Sequence, residues 1–137
     1  MSEGEPIMRR VIIESPYAGE IEANVTYARR AVADSLALSE APIASHLLYN
    51  QPGVLDDSSP GQRFLGITAG LAWRQVAELQ VFYTDRGWSN GMIAALWQAI
   101  RESRPIELRA LDGAVLLPTT PNKSMTDYLL SKTWERV

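Results

Sequence analysis

The sequence predicts an α/β domain with a parallel sheet of four to five strands and helices on both faces. Three observations carry this. Short β-branched runs alternate with stretches of helical period in the order β-α-β-loop-α-β-α-β, which specifies parallel strands joined by crossovers. The chain has 137 residues, the length of one domain. It is 46% hydrophobic and 21% charged, enough for a core without cross-links.

Arg10-Val11-Ile12-Ile13-Glu14-Ser15 is the first strand, stopped by Pro16 and Gly19. From about Glu20 to Ser39 the period is helical. Ile21, Val25, Ala28, Val32 and Leu36 form the expected buried stripe, with Glu22, Arg29, Arg30 and Asp34 mostly off it. Ala41-Pro42-Ile43-Ala44 is a brief second strand whose proline suits a strand end or an edge. His46 to Ser59 reads as a long working loop, with Pro52-Gly53 and Asp56-Asp57 as turn chemistry.

Ser59-Pro60 marks the start of a second helix, as cap and first helical residue. Its expected inner stripe is Phe64, Ile67 and Leu71, and it runs to about Ala77. Gly66 and Gly70 within it predict close packing against a neighbouring helix or subunit. Leu79–Tyr83 is the third strand. Ser89 or Asn90 caps a third helix with Ile93, Leu96 and Ile100 inward, ended by Pro105. Ile106–Ala110 is the fourth strand. Ala114–Leu117 is a candidate fifth, and Ser124–Trp134 a candidate terminal helix. The expected organisation is a tail over 1–9, one domain over 10–117 and a second tail over 118–137.

Composition excludes several function classes. Without cysteine there is no disulfide, thiolate metal site or cysteine nucleophile, and a single histidine excludes a multi-histidine metal site. Magnesium held by carboxylates is the one metal left open, and nothing calls for it; no metal and no cofactor is expected. A net charge of −3 argues against gripping a nucleic acid polymer through a basic face. No apolar stretch approaches the ~20 residues that span a bilayer. The acidic, polar start does not read as a signal peptide, so the expectation is a cytoplasmic protein.

In sheets of this kind ligands bind beyond the carboxyl ends of the strands. Ser15-Pro16-Tyr17, Ser45-His46 and Tyr83-Thr84-Asp85 lie there. Neither the glycine-rich dinucleotide fingerprint nor the Walker phosphate loop is present. Each polar group has a plain reading beside a functional one. Ser15-Pro16-Tyr17 is a strand-terminating turn, or a hydroxyl and a phenol on a rigid bend. Ser89-Asn90-Gly91-Met92 is ordinary capping, or an anion site at a helix start. Asp56-Asp57 is a solvated turn, or a pair of acceptors for sugar hydroxyls. His46 is a structural histidine or a base. Arg63 makes a surface ion pair or meets a ligand phosphate, as Arg86 would if it pointed inward. The four tryptophans are core or interface mass, and Trp88 is the one placed to stack on a base or a sugar.

The ordered set is more specific than its parts. Ile12-Ile13-Glu14-Ser15-Pro16-Tyr17, Glu22-Ala23-Asn24 with Ala28-Arg29-Arg30, Pro42-Ile43-Ala44-Ser45-His46-Leu47-Leu48, Leu55-Asp56-Asp57, Gln62-Arg63, Gly66 and Ser89-Asn90-Gly91-Met92 follow one another. Over roughly residues 10 to 111 this succession resembles the nucleoside 2-deoxyribosyltransferase-like superfamily, and within it a small, phage-rich branch.

The resemblance implies a flavodoxin- or Rossmann-like three-layer sandwich that binds nucleosides or nucleotides and acts at the N-glycosidic bond. It also implies a homo-oligomer with sites near subunit contacts. In active members a glutamate one turn into the helix after a Ser-x-Gly element attacks the anomeric carbon, and a tyrosine after the first strand holds that carboxylate. By position Tyr17 takes the tyrosine's role, Ser15 and Ser89 lie at the sugar or phosphate, and Asp56 and Asp57 are ligand contacts. The glutamate's position is Ala95, which has no nucleophile to offer. The next acid, Glu102, stands about two turns or ~10 Å further along. Three explanations are open: an engineered alanine, a branch that has abandoned turnover, or a displaced carboxylate at Asp56, Asp57 or Asp85. The expected function is therefore nucleotide binding with little or no turnover, in a phage setting as sequestration of a host signal resembling cyclic ADP-ribose. The alternatives are an active N-glycosidase or deoxyribosyltransferase, and an interaction module with a vestigial pocket.

Overall fold

The computed structural model describes residues 8–111 and 115–119. Its elements are β1 (Arg9–Glu14), α1 (Ile21–Ala37), β2 (Glu40–Ile43), α2 (Ser45–Tyr49), α3 (Pro60–Arg74), β3 (Leu79–Tyr83), α4 (Asn90–Arg101), β4 (Ile106–Arg109) and β5 (Val115–Thr119). The sheet order is β2-β1-β3-β4-β5. β1 to β4 are parallel, and β5 closes the far edge antiparallel to β4. The expected α/β architecture is therefore present, with its fifth strand reversed. Pro42 lies in β2, an edge strand, where a missing N–H costs the ladder least. The candidate helix at Ser124–Trp134 lies outside the described residues.

Two cores flank the sheet because alternate strand residues face opposite ways. On one face Val11, Ile13, Leu79, Val81 and Tyr83 pack with Tyr27 and Ala31 of α1. On the other, Phe82, Ile106 and Leu108 pack with Met92, Ala95, Leu96 and Ala99 of α4. Arg74 at the end of α3 reaches Glu14 on this second face.

Four expectations need correction. The buried side of α1 is Asn24, Tyr27, Ala28, Ala31 and Ser35, while Ile21 and Leu36 are exposed. The cause is hydrogen bonding. Asn24 Nδ2 donates to the carbonyls of Tyr17 and Ala18, and the Ser35 hydroxyl donates to Glu40, so polar residues occupy the inner face. The segment read as one loop begins with α2, five residues too short to show a period. α3 turns Phe64 and Ile67 outward, and of its residues only Gly70 is buried. The most deeply buried residues of α4 are Met92, Ala95, Leu96 and Ala99, with Ile93 and Ile100 partly covered. Of the two glycines only Gly70 packs on a neighbouring helix as expected, a Cβ there meeting Ser45 Oγ of α2 at 3.1 Å; at Gly66 a Cβ would meet Leu55 of the loop after α2 at 3.2 Å.

Candidate functional site

β1 delivers its last residue, Glu14, into the protein, and the chain then bends at Ser15-Pro16. Both bend residues are buried. The bend points Tyr17 outward over the carboxyl end of the sheet. β2, beside β1, ends there too and passes into α2, which carries His46. The Ser15 hydroxyl and His46 Nε2 are 3.1 Å apart, and the rings of Tyr17 and His46 meet edge to face at 6.0 Å. Two adjacent strand ends are thereby tied. Burial holds the His46 imidazole neutral, its pKa pushed down to about 4.

The loop after α2 folds back to form the opposite wall of a cavity of about 650 Å³. Tyr17, Gly19 and Ile21 line one side, and Asp56, Asp57, Gln62 and Arg63 the other. Asp56 shapes the approach to α3. Its Oδ1 accepts from the Ser58 backbone N–H at 2.9 Å and hydroxyl at 2.6 Å, and its own N–H donates to Gln62 Oε1 at 2.7 Å. The Ser58 bonds lower its pKa, so it is a fixed anion at neutral pH. Arg63 Nε donates to the Asp57 carbonyl at 3.0 Å, with the Asp57 carboxylate 3.8 Å away. The Tyr17 phenol is pushed above its ordinary range by burial, then by the negative charges of Asp57 and Asp56. It stays protonated and can donate a hydrogen bond.

A smaller hollow of about 130 Å³ adjoins this cavity and shares Asn50, Asp57 and Arg63 with it; Ser45, His46 and Arg74 are among its other lining residues. Beneath lies a pair absent from the sequence reading. Arg74 donates from one terminal nitrogen to both oxygens of Glu14 at 2.9 Å. Burial raises the Glu14 pKa, against the Arg74 charge that lowers it. One signal for Glu14 was available. It ends a strand whose alternate residues point into a helix-covered layer, so its carboxylate required a partner.

The other candidate residues lie elsewhere. Ser89 caps α4, its hydroxyl accepting from the Met92 N–H at 3.1 Å. Trp88 is buried and stacks on Phe82 with ring centroids 5.6 Å apart. Met92 and Ala95 belong to the α4 core. None of Trp88, Ser89, Asn90, Gly91 and Met92 lines the Tyr17 cavity. Asp85 faces α1, accepting from the Tyr27 hydroxyl at 2.7 Å and the Leu111 N–H at 3.0 Å. It lines a separate hollow with Tyr27 and Arg30. Arg86 donates to Asn24 and Glu20. The structure thus gathers Tyr17, His46, Asp56, Asp57 and Arg63, and leaves the start of α4 apart.

Residues 9–109 match the model of a family described as a domain of unknown function, DUF7768. The chain belongs to that family. No curated protein matches it. Among solved structures, a 2-deoxyribosyltransferase from the psychrotolerant bacterium Bacillus psychrosaccharolyticus is similar, with a TM-score of 0.54 and 18% identity. The match covers 86% of this chain and 80% of that one. At that identity the likeness is one of fold: this DUF7768 domain has a Rossmann-like α/β scaffold in common with that enzyme. Among the described residues no helix is long and apolar enough to cross a membrane.

Proposed function

We propose that this protein binds a nucleoside, a nucleotide or a nucleotide-derived signal in the Tyr17 cavity, with little or no turnover. The observation that carries the reading is the convergence of a phenol, two carboxylates and a guanidinium around a cavity of about 650 Å³ at the strand ends. That volume suits a small ligand. Tyr17 offers a ring face and a donor for the base or sugar. Asp56 and Asp57 offer acceptors for sugar hydroxyls, and Arg63 a donor fork for phosphate. Ser15 and Pro16 set the bend, and His46 braces it.

Weak turnover is supported by α4, which holds no carboxylate from Asn90 to Arg101 and has Ala95 packed in its core. Sequestration of a signal resembling cyclic ADP-ribose, in the host cytoplasm if the protein is phage-encoded, is the role such a pocket would serve. The competing reading is an N-glycosidase using Asp56 or Asp57, and it is favoured by the closeness of these carboxylates to Tyr17.

Calorimetry with nucleosides, their monophosphates and cyclic ADP-ribose is expected to show saturable binding at micromolar concentration. Tyr17→Ala or Asp57→Asn should weaken it about tenfold or more, as loss of a charge-assisted contact does. Absence of binding by every probe rejects the proposal. Chromatographic release of free base that Asp57→Asn abolishes would decide for the glycosidase instead.

We also propose that the protein forms a homo-oligomer through α3. Phe64 is 71% exposed, Leu65 58% and Ile67 55%. A contiguous apolar helix face of this kind is ordinarily covered. Arg63 adjoins Phe64, so a second copy docked here would stand beside the cavity. Sedimentation is expected to show a dimer or larger assembly, and Phe64→Glu with Ile67→Glu to yield a monomer. A parent protein that is monomeric at about 100 μM, well above the ~1 μM dissociation constant of a weakly stable dimer, would reject this.

A further inference from the structure

A hollow of about 500 Å³ lies between α1 and the loops that follow β3 and β4, and it shares no lining residue with the Tyr17 cavity. Thr26 and Arg30, one turn apart on α1, form one wall. Asp85 and Arg86, just past the end of β3, form the other. The volume is that of a small-molecule site.

Charge decides what the hollow can hold. Two guanidiniums and one carboxylate line it, which leaves an excess of one positive charge. The carboxylate is engaged: Asp85 Oδ1 accepts from the Tyr27 hydroxyl at 2.7 Å and from the Leu111 N–H at 3.0 Å. Asp34, one turn beyond Arg30 on α1, takes the Tyr83 hydroxyl at 2.8 Å. Among the described residues Arg30 has neither an ion pair nor a hydrogen bond, and the Thr26 hydroxyl has no partner. Arg86, by contrast, is fixed. Its Nε donates to Asn24 Oδ1 at 2.8 Å, and Asn24 is fully buried. Nη2 donates to Glu20 at 3.0 Å, but that carboxylate is mostly exposed, and such a pair is weak. Nη1 has no partner among the described residues and is open to solvent. The hollow therefore presents a pre-oriented guanidinium, an uncompensated one and a hydroxyl. A cation would be repelled here, and a neutral ligand would make no use of the charge. Guanidinium forks match the oxygens of a phosphoryl group.

We propose that this hollow binds the phosphoryl group of a small molecule through Arg86 and Arg30, with the Thr26 hydroxyl as a further donor. Free phosphate and a small phosphate ester share that chemistry. The site stands on its own residues and does not depend on the assignment of the Tyr17 cavity.

The test is a titration of the full-length, isotope-labelled chain at constant ionic strength, read at the backbone amide resonances of Thr26, Arg30 and Arg86. Inorganic phosphate and glycerol phosphate are the probes, and chloride controls for screening. Saturable shifts are expected with one probe or both, and the tighter of the two assigns the source. Chloride should give none. Arg30 is exposed and unpartnered, so Arg30→Gln should keep the fold. It should weaken binding about tenfold or more, as loss of a charge-assisted contact does. Arg30→Lys, which keeps the charge and loses the fork, should recover part of the affinity. Four results overturn the proposal: no saturable shift with either probe at millimolar concentration, chloride acting as phosphate does, binding unchanged in Arg30→Gln, or shifts confined to Tyr17 and Arg63. The last would leave the nucleotide reading intact.

Discussion

Replacing Arg109 by leucine is expected to destabilise the domain by about 3–5 kcal/mol, the usual cost of stranding a buried charge. Arg109 is 1% exposed. Its two terminal nitrogens donate to Glu40 at 2.8 and 3.2 Å, to Tyr83 Oη at 3.2 Å, and to Glu107. Glu40 is itself buried and also takes hydrogen bonds from Ser35 and Arg9. These residues come from α1 and four positions spread over β1 to β4, so one guanidinium ties much of the α1 face together. Leucine fills similar space but leaves Glu40 and Glu107 facing each other without it. Urea unfolding should show the loss as a midpoint lowered by roughly 2 M, given slopes of about 1–3 kcal/mol/M. A variant within about 0.5 kcal/mol of the parent, the range of neutral surface changes, would refute the role given to this network.

The same network fixes the acid limb. Burial works to raise the Glu40 pKa, but the bonds from Arg109, Ser35 and Arg9 outweigh it and hold it near 2, against 4.5 when free. As pH falls, the unfolded chain takes up this proton first. Stability from Glu40 is therefore present above pH 4.5 and lost as pH falls toward 2. In Arg109→Leu that dependence should shrink, so the variant's deficit is largest near neutrality and smaller at pH 3.

Legibility followed how local each cause is. β3 was readable because Leu79–Tyr83 is buried on both faces, and such strands are continuous apolar runs. The start of α4 was readable because a cap is a three-residue event. The phase of α1 was not, because Asn24 and Ser35 owe their burial to partners on the Tyr17 turn and on Glu40. The outward face of α3 was not readable either. Phe64 and Ile67 have the spacing of a core stripe, and spacing does not distinguish a core from a surface left for another chain. In the site, the strand-end rule named Tyr17 and His46, which topology alone brings together, and also Asp85, which lines a separate hollow; Asp56 and Asp57 were read from the long loop instead. Glu14 and Arg74 are 60 residues apart, and no periodicity links them. The start of α4 obeys the same strand-end rule, yet Trp88 turns inward to Phe82 and Met92 enters the core. Side-chain direction, which topology leaves open, decided that case.

Between pH 7 and pH 4 the domain is expected to lose about 2 kcal/mol through His46 alone. Its imidazole is partly buried, and that burial makes it titrate near 4 when folded against 6.5 when free. As pH falls, the unfolded chain binds the proton first, so this stability is present above pH 6.5 and is lost as the pH drops toward 4. The full separation corresponds to about 3 kcal/mol at 1.36 kcal/mol per unit, and partial contact with solvent reduces it. The groups around the ring set what protonation does. Ser15 Oγ lies 3.1 Å from Nε2, Tyr17 packs against the ring edge, and Asp57, Arg63 and Arg74 line the adjoining hollow. Glu14 works in the opposite direction, since its raised pKa makes protonation favour the folded state. His46→Gln keeps an acceptor for Ser15 and has no proton to gain, so its stability should not fall from pH 6.5 to pH 4.5, where only Glu14, whose protonation favours the folded state, changes it. Parallel denaturant unfolding of parent and variant at half-unit pH steps isolates the histidine, because Glu14 and Glu40 are common to both. If the two curves keep a constant separation across that range, His46 is not the group that weakens the strand-end bend in acid.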